Sequence, residues 1–118
     1  SDSTAPVLAH AARLSAAGLF RSVRPAFWKV PPLATELLSA PTDGPTVILP
    51  FFLSDGYFTQ SVLPAALGLG RGWNVTSTHP VCLAAPVGTH PSIHSLLEHR
   101  VAGALAAGGF DPAQTTLV

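Results

Sequence analysis

One unbroken apolar run, Thr46-Val47-Ile48-Leu49-Pro50-Phe51-Phe52-Leu53, constrains the fold of this chain more than any other feature. A strand with one wet face alternates apolar and polar residues; a run without that alternation asks for cover on both faces, as in a sheet sandwiched by helices. It contains Pro50 but no charged residue, and it falls far short of the roughly 20 residues of a membrane span. The run therefore predicts a buried strand at the centre of a sheet.

A second run, Pro80 to Pro86, predicts another buried strand, and helical patterns surround the pair. Ser3 or Thr4 caps and Pro6 opens a helix over 6–18, with Leu8, Ala11, Ala12, Ser15 and Leu19 on one stripe and Gly18 as its stop. Thr59 to Leu67 reads as helix despite Pro64, and Pro91 opens a last helix carrying Ile93, Leu96, Leu97, Val101, Ala104 and Leu105 down to Gly108-Gly109. Ser22 to Trp28 is aromatic and β-branched, but Pro25 removes a ladder donor and makes it an edge or bulged strand. Pro31-Pro32 starts a short helix through Glu36 to Leu38, 41–45 is a loop, and Gly68-Leu69-Gly70-Arg71-Gly72 is a connector without the strand-then-helix setting of a phosphate loop. Strands alternating with helices predict parallel β-α-β units, whose ligands gather beyond the carboxyl ends of the strands. The loops at 54–58 and 87–90 then share one rim.

Composition narrows the function. At 118 residues the chain fits one domain. Six basic and six acidic residues cancel without a Lys/Arg cluster, which excludes nucleic acid as a partner, and the run lengths exclude a membrane. The single cysteine, Cys82, permits no internal disulfide and reads as core packing, with a reducing cytoplasm as the default compartment. Only 10% of residues are charged, against about 25% in ordinary domains, so the chain is expected to hide surface against something else. It contains no methionine, so its first residue is not a start codon product.

Three ordered segments carry a family resemblance: Ala26-Phe27-Trp28-Lys29 with Pro32; Leu49-Pro50-Phe51-Phe52-Leu53-Ser54-Asp55-Gly56-Tyr57-Phe58 with Val62-Leu63-Pro64; and Ala85-Pro86-Val87-Gly88-Thr89-His90-Pro91. In that order and spacing the chain resembles the CbiX-type (class II) sirohydrochlorin chelatases. The resemblance implies a three-layer αβα unit with a parallel four-stranded sheet, used twice, as a homodimer or as two fused halves. Residues 1–114 would form one such unit, its first strand missing or supplied from outside the chain, and 115–118 would begin the first strand of a following unit. The implied activity, of the lyase class, inserts cobalt or iron, a divalent metal substrate, into a sirohydrochlorin-type tetrapyrrole in cobalamin or siroheme biosynthesis. The implied partners are the tetrapyrrole and a second chelatase-like unit. The chain departs from the family pattern twice: the His-Gly motif after the first strand is absent, and Phe58 stands where the second family histidine belongs. Activity then depends on a histidine supplied from elsewhere; the alternative is a degenerate module that kept the fold for tetrapyrrole or metal binding, or for dimerisation.

Metal insertion needs groups that hold a divalent ion, a base for two pyrrole protons, and an apolar cleft. His90, in the Gly-x-His-Pro turn, is the leading candidate for catalysis and metal contact, against a capping role. His90, His94 and Glu98 are spaced i, i+4, i+8, so a fully helical segment would put them on one face as a metal set; a plain solvated face is the other reading. Asp55 is a candidate ligand and Tyr57 a hydrogen-bond donor to a substrate carboxylate, against a simple Ser54-Asp55-Gly56 turn in which glycine takes a positive φ. Ser54, Gly56, Phe58, Gly88 and Thr89 complete the expected substrate contacts. Phe51, Phe52, Phe58 and Trp73 wall a macrocycle or fill the core, and His10 is placed far from the rim as a structural residue.

Overall fold

The computed structural model describes residues 2–39 and 44–118, so most of the loop expected at 41–45 lies outside the described residues. The sequence Ala-Pro-Val-Leu-Ala-His-Ala-Ala-Arg-Leu-Ser-Ala is rich in the best helix former, and it folds as α1, Ala5–Ala16. Gly18, at φ +68°, ends it in the left-handed conformation that glycine adopts without a Cβ penalty. Next comes a stretch in which Phe27 pairs with Leu33 alone: the Phe27 N–H donates to the Pro32 carbonyl at 2.8 Å and the Ala34 N–H to the Phe27 carbonyl at 2.7 Å. The strand expected at 22–28 is therefore a closed loop outside the sheet. A turn of 3₁₀-helix, Ala34–Ser39, follows.

The sheet has three strands in the order β1-β3-β2: β1 is Thr46–Ile48, β2 is Gly72–Val75 and β3 is Pro80–Leu83. β1 runs parallel to β3, with Val47 opposite Cys82, and β2 runs antiparallel to it, with Trp73 opposite Cys82. The fold is thus α/β, but its sheet is small and mixed where four parallel strands were expected. The reason is local. Thr76 knits the β2–β3 turn, its Oγ1 accepting from the backbone N–H of Thr78 and of His79, and so short a connection joins only antiparallel neighbours. β1, expected at the centre, is an edge strand that stops at Ile48, and among the described residues its outer edge has no partner.

Between β1 and β2, Phe58–Val62 form a wide π-helical turn that runs into α2, Leu63–Leu67. Pro64 has no N–H to offer the carbonyl four residues back, and the Leu63 N–H reaches five residues back, to Phe58. Gly68, at φ +67°, stops α2. Leu63 and Leu67 from this helix, Leu69 from the connector, and Val81 and Leu83 from β3 form the buried core, joined by Leu38, Ile48 and Phe58.

The core lies on one face of the sheet. On the other, Val47 is 60%, Trp73 63% and Val75 fully exposed, and Cys82 is half-buried there instead of in the core. The last helix, α3, spans Ser92–Gly108, and neither it nor α1 has a buried residue. The third layer of an αβα sandwich is therefore absent among the described residues. The radius of gyration is 17.7 Å, against about 13 Å for a closed domain of this length. Thr115–Val118 join no strand; Leu117 lies in a groove along α3.

Candidate functional site at the carboxyl rim of β1 and β3

Because β1 and β3 are parallel neighbours, the loops that leave their carboxyl ends start side by side. Main-chain bonds keep them together past the strands: Ala84 N–H to Ile48 at 2.9 Å, Val87 N–H to Pro50 at 3.1 Å and Gly88 N–H to Phe52 at 2.9 Å. At Gly88 the two backbones leave no room for a side chain, since a Cβ there would run into the Leu53 carbonyl. The 49–58 and 84–90 segments form one rim.

On the first segment, Ser54 is exposed at a bend, and Asp55 is tied into a network. Its Oδ1 accepts from the Thr59 hydroxyl at 2.7 Å and from the Arg71 guanidinium at 3.0 Å, and its backbone carbonyl accepts from the Gln60 amide at 3.0 Å. The Arg71 hydrogen bonds foremost, then that of Thr59, hold its carboxyl below its ordinary value of 3.8. Such a carboxylate is a weaker base and is occupied in shaping the loop. The connector 68–72 thus supplies Arg71, the cation that fixes this loop, a role its glycine pattern did not reveal. Gly56 does not take a positive φ; its N–H donates to the Thr59 hydroxyl at 3.1 Å and its carbonyl accepts from the Gln60 N–H at 2.9 Å. Tyr57 stands 78% exposed beside it.

On the second segment, the Thr89 hydroxyl donates to the Pro86 carbonyl at 2.7 Å. His90 is extended (φ −71°, ψ 137°) and precedes α3, so His90, His94 and Glu98 do not share a helical face. Its Nδ1 accepts the Ser92 N–H at 3.1 Å and lies 2.8 Å from the Ser92 hydroxyl. An amide N–H only donates, so Nδ1 offers its lone pair to the helix start, and the neutral ring carries its proton on Nε2. His90 caps α3 and presents a donor outward. His94 and Glu98 line the groove along α3 with Leu97, Val101 and Leu105. Among the described residues no three His, Cys, Asp or Glu side chains gather as a metal-holding group.

The aromatic residues divide between the expected arrangements: Phe58 packs on the core and lines a cavity with Phe52, while Trp73 lies exposed on the other face of the sheet. Phe51 and Phe52 leave the strand and are 48% and 41% exposed. The Phe58 ring, half-buried, meets Trp28 edge-on at 4.9 Å and Phe52 at 5.1 Å, and His10 of α1 lies 5.3 Å from Phe51. His10 is therefore at the rim and not remote from it. Trp28, Lys29, Phe52 and Phe58 line a cavity of about 300 Å³ with Ser3 and Thr4 from the start of the chain. Spacing alone gave no sign that the 27–30 loop closes on Phe58; an aromatic-basic pair, Trp28-Lys29, inside an apolar loop was the available signal.

Comparisons with known proteins bear on the family of the chain. A probable sirohydrochlorin cobaltochelatase of Halobacterium salinarum is 32% identical, over 83% of this chain and 39% of its own length, so the chain spans well under half of that relative. No solved structure matches significantly. The family model named CbiX matches residues 1–104, and the chain belongs to the CbiX family.

Proposed function

We propose that the chain is one half of a class II chelatase, inserting cobalt or iron into a sirohydrochlorin-type tetrapyrrole. The macrocycle would lie across the joined rims, with Ser54, Gly56, Phe58, Gly88 and Thr89 against it, Tyr57 and the Nε2–H of His90 donating to its carboxylates, and Asp55 facing the cleft. A base for the two pyrrole protons and the imidazole that Phe58 cannot replace come from a second chelatase-like unit, for which a relative of much greater length leaves room. His94 and His90 would then serve metal entry separately, since they do not act from one helical face. The observation that carries this reading is the pairing of the two rims by main-chain hydrogen bonds, which makes a single cleft edge from both loops.

Phe58 favours a second reading, a module that binds the macrocycle without inserting metal. Incubating the full-length protein with sirohydrochlorin and cobalt, and following the visible spectrum, separates the two. Conversion of the free-base bands to those of the metallated ring above the uncatalysed rate supports the chelatase; spectral binding without conversion supports the module; neither change removes both.

A further inference from the structure

We propose that the cavity bounded by Trp28, Lys29, Phe52 and Phe58 seats one edge of a flat, conjugated, carboxylate-bearing macrocycle, with Lys29 pairing a peripheral carboxylate. The proposal rests on the tetrapyrrole reading and deepens it, by assigning a recognition role to residues of the 27–30 loop. Three aromatic rings meet there at 4.9 and 5.1 Å, leaving about 300 Å³ open beside them, at the lower end of small-molecule sites. Ring faces and edges of this kind favour a planar π-system over an aliphatic ligand. Lys29 is the cation on the wall, and among the described residues no carboxylate pairs with it. A positive charge next to an apolar, partly desolvated wall favours an anion that brings its own apolar body. Phe58 takes part in both: its ring packs on the core below and forms the cavity wall above, so a position suited to chemistry in the family has become a surface for stacking.

The test titrates the full chain into two water-soluble porphyrins, one bearing eight carboxylates and one tetracationic, and reads porphyrin fluorescence anisotropy. Wild-type protein should bind the octacarboxylate ring; Lys29→Gln should weaken it by about three- to tenfold, and Lys29→Glu further, while affinity for the tetracationic ring holds or rises. Phe58→Leu, which keeps an apolar side chain in the core, should weaken both rings. Arg100→Gln removes a cation of α3 outside the cavity and should change nothing. Octacarboxylate binding that is equal in wild type and both Lys29 variants overturns the Lys29 assignment and leaves the tetrapyrrole reading standing. No binding of either ring by wild-type protein overturns both.

Discussion

At the scale of single residues, Gly88 and Gly56 have opposite reasons to be glycine. A Cβ at Gly88 meets the Leu53 carbonyl, which is held in place by the adjoining Gly88–Phe52 hydrogen bond, whereas a Cβ at Gly56 meets open space. Gly88→Ala should therefore destabilise the chain by about 1–3 kcal/mol through overpacking, and Gly56→Ala by under about 0.5 kcal/mol, as measured by urea unfolding. Asp55 makes a pH-dependent contribution. Its folded carboxyl titrates below the ordinary value of 3.8, so what it adds is complete above that value and is lost as pH falls through the depressed one. The stability difference between wild type and Asp55→Asn should be constant from neutral pH down to about 5 and shrink below about 4; a difference that instead grew on acidification would contradict the Arg71 pairing.

At the scale of elements, α3 depends on its own ends and sequence because it buries no residue. Its start is fastened by His90, whose Nδ1 accepts the Ser92 N–H. His90→Ala should fray the first turn at a cost of about 0.5–2 kcal/mol to the helix, and His90→Asn, which keeps a side-chain acceptor, should restore most of it. Ellipticity at 222 nm through a thermal scan checks this, and equal loss in both variants would remove the capping role. The sequence made α1, α3, Gly18 and Gly109 legible, because helix periodicity and a glycine stop are local signals. It did not make β2 legible: Trp73-Asn74-Val75 has too few residues to show a period, and its direction follows from the Thr76 turn.

For the whole molecule, the side chains that hold it together come from one face of the sheet. Leu83 is 1% exposed at the centre of that face, while Trp73 is 63% exposed on the other. Leu83→Ala should cost about 2–5 kcal/mol, enough to unfold so small a core, and Trp73→Ala, a larger deletion, well under about 1 kcal/mol. Denaturation midpoints that fell equally for both would mean that the second face is covered in solution. Among the described residues the second face of the sheet and the outer edge of β1 stay uncovered, which is the extended, low-charge surface that the composition led one to expect.

By itself the sequence determined the helices and their stops, the two apolar runs as strands whose following loops share a rim, and the ordered segments that place the chain in the CbiX family. Those depend on period, glycine and spacing along the chain. Tertiary structure alone decided that the longest apolar run lies at an edge, that Arg71 fixes Asp55, that His90 turns its lone pair to α3, and that Trp28 and Lys29 close on Phe58. Each is a meeting of groups distant in sequence or a choice of rotamer and strand direction, set by which backbone donors and apolar surfaces remain unsatisfied once the local elements have formed.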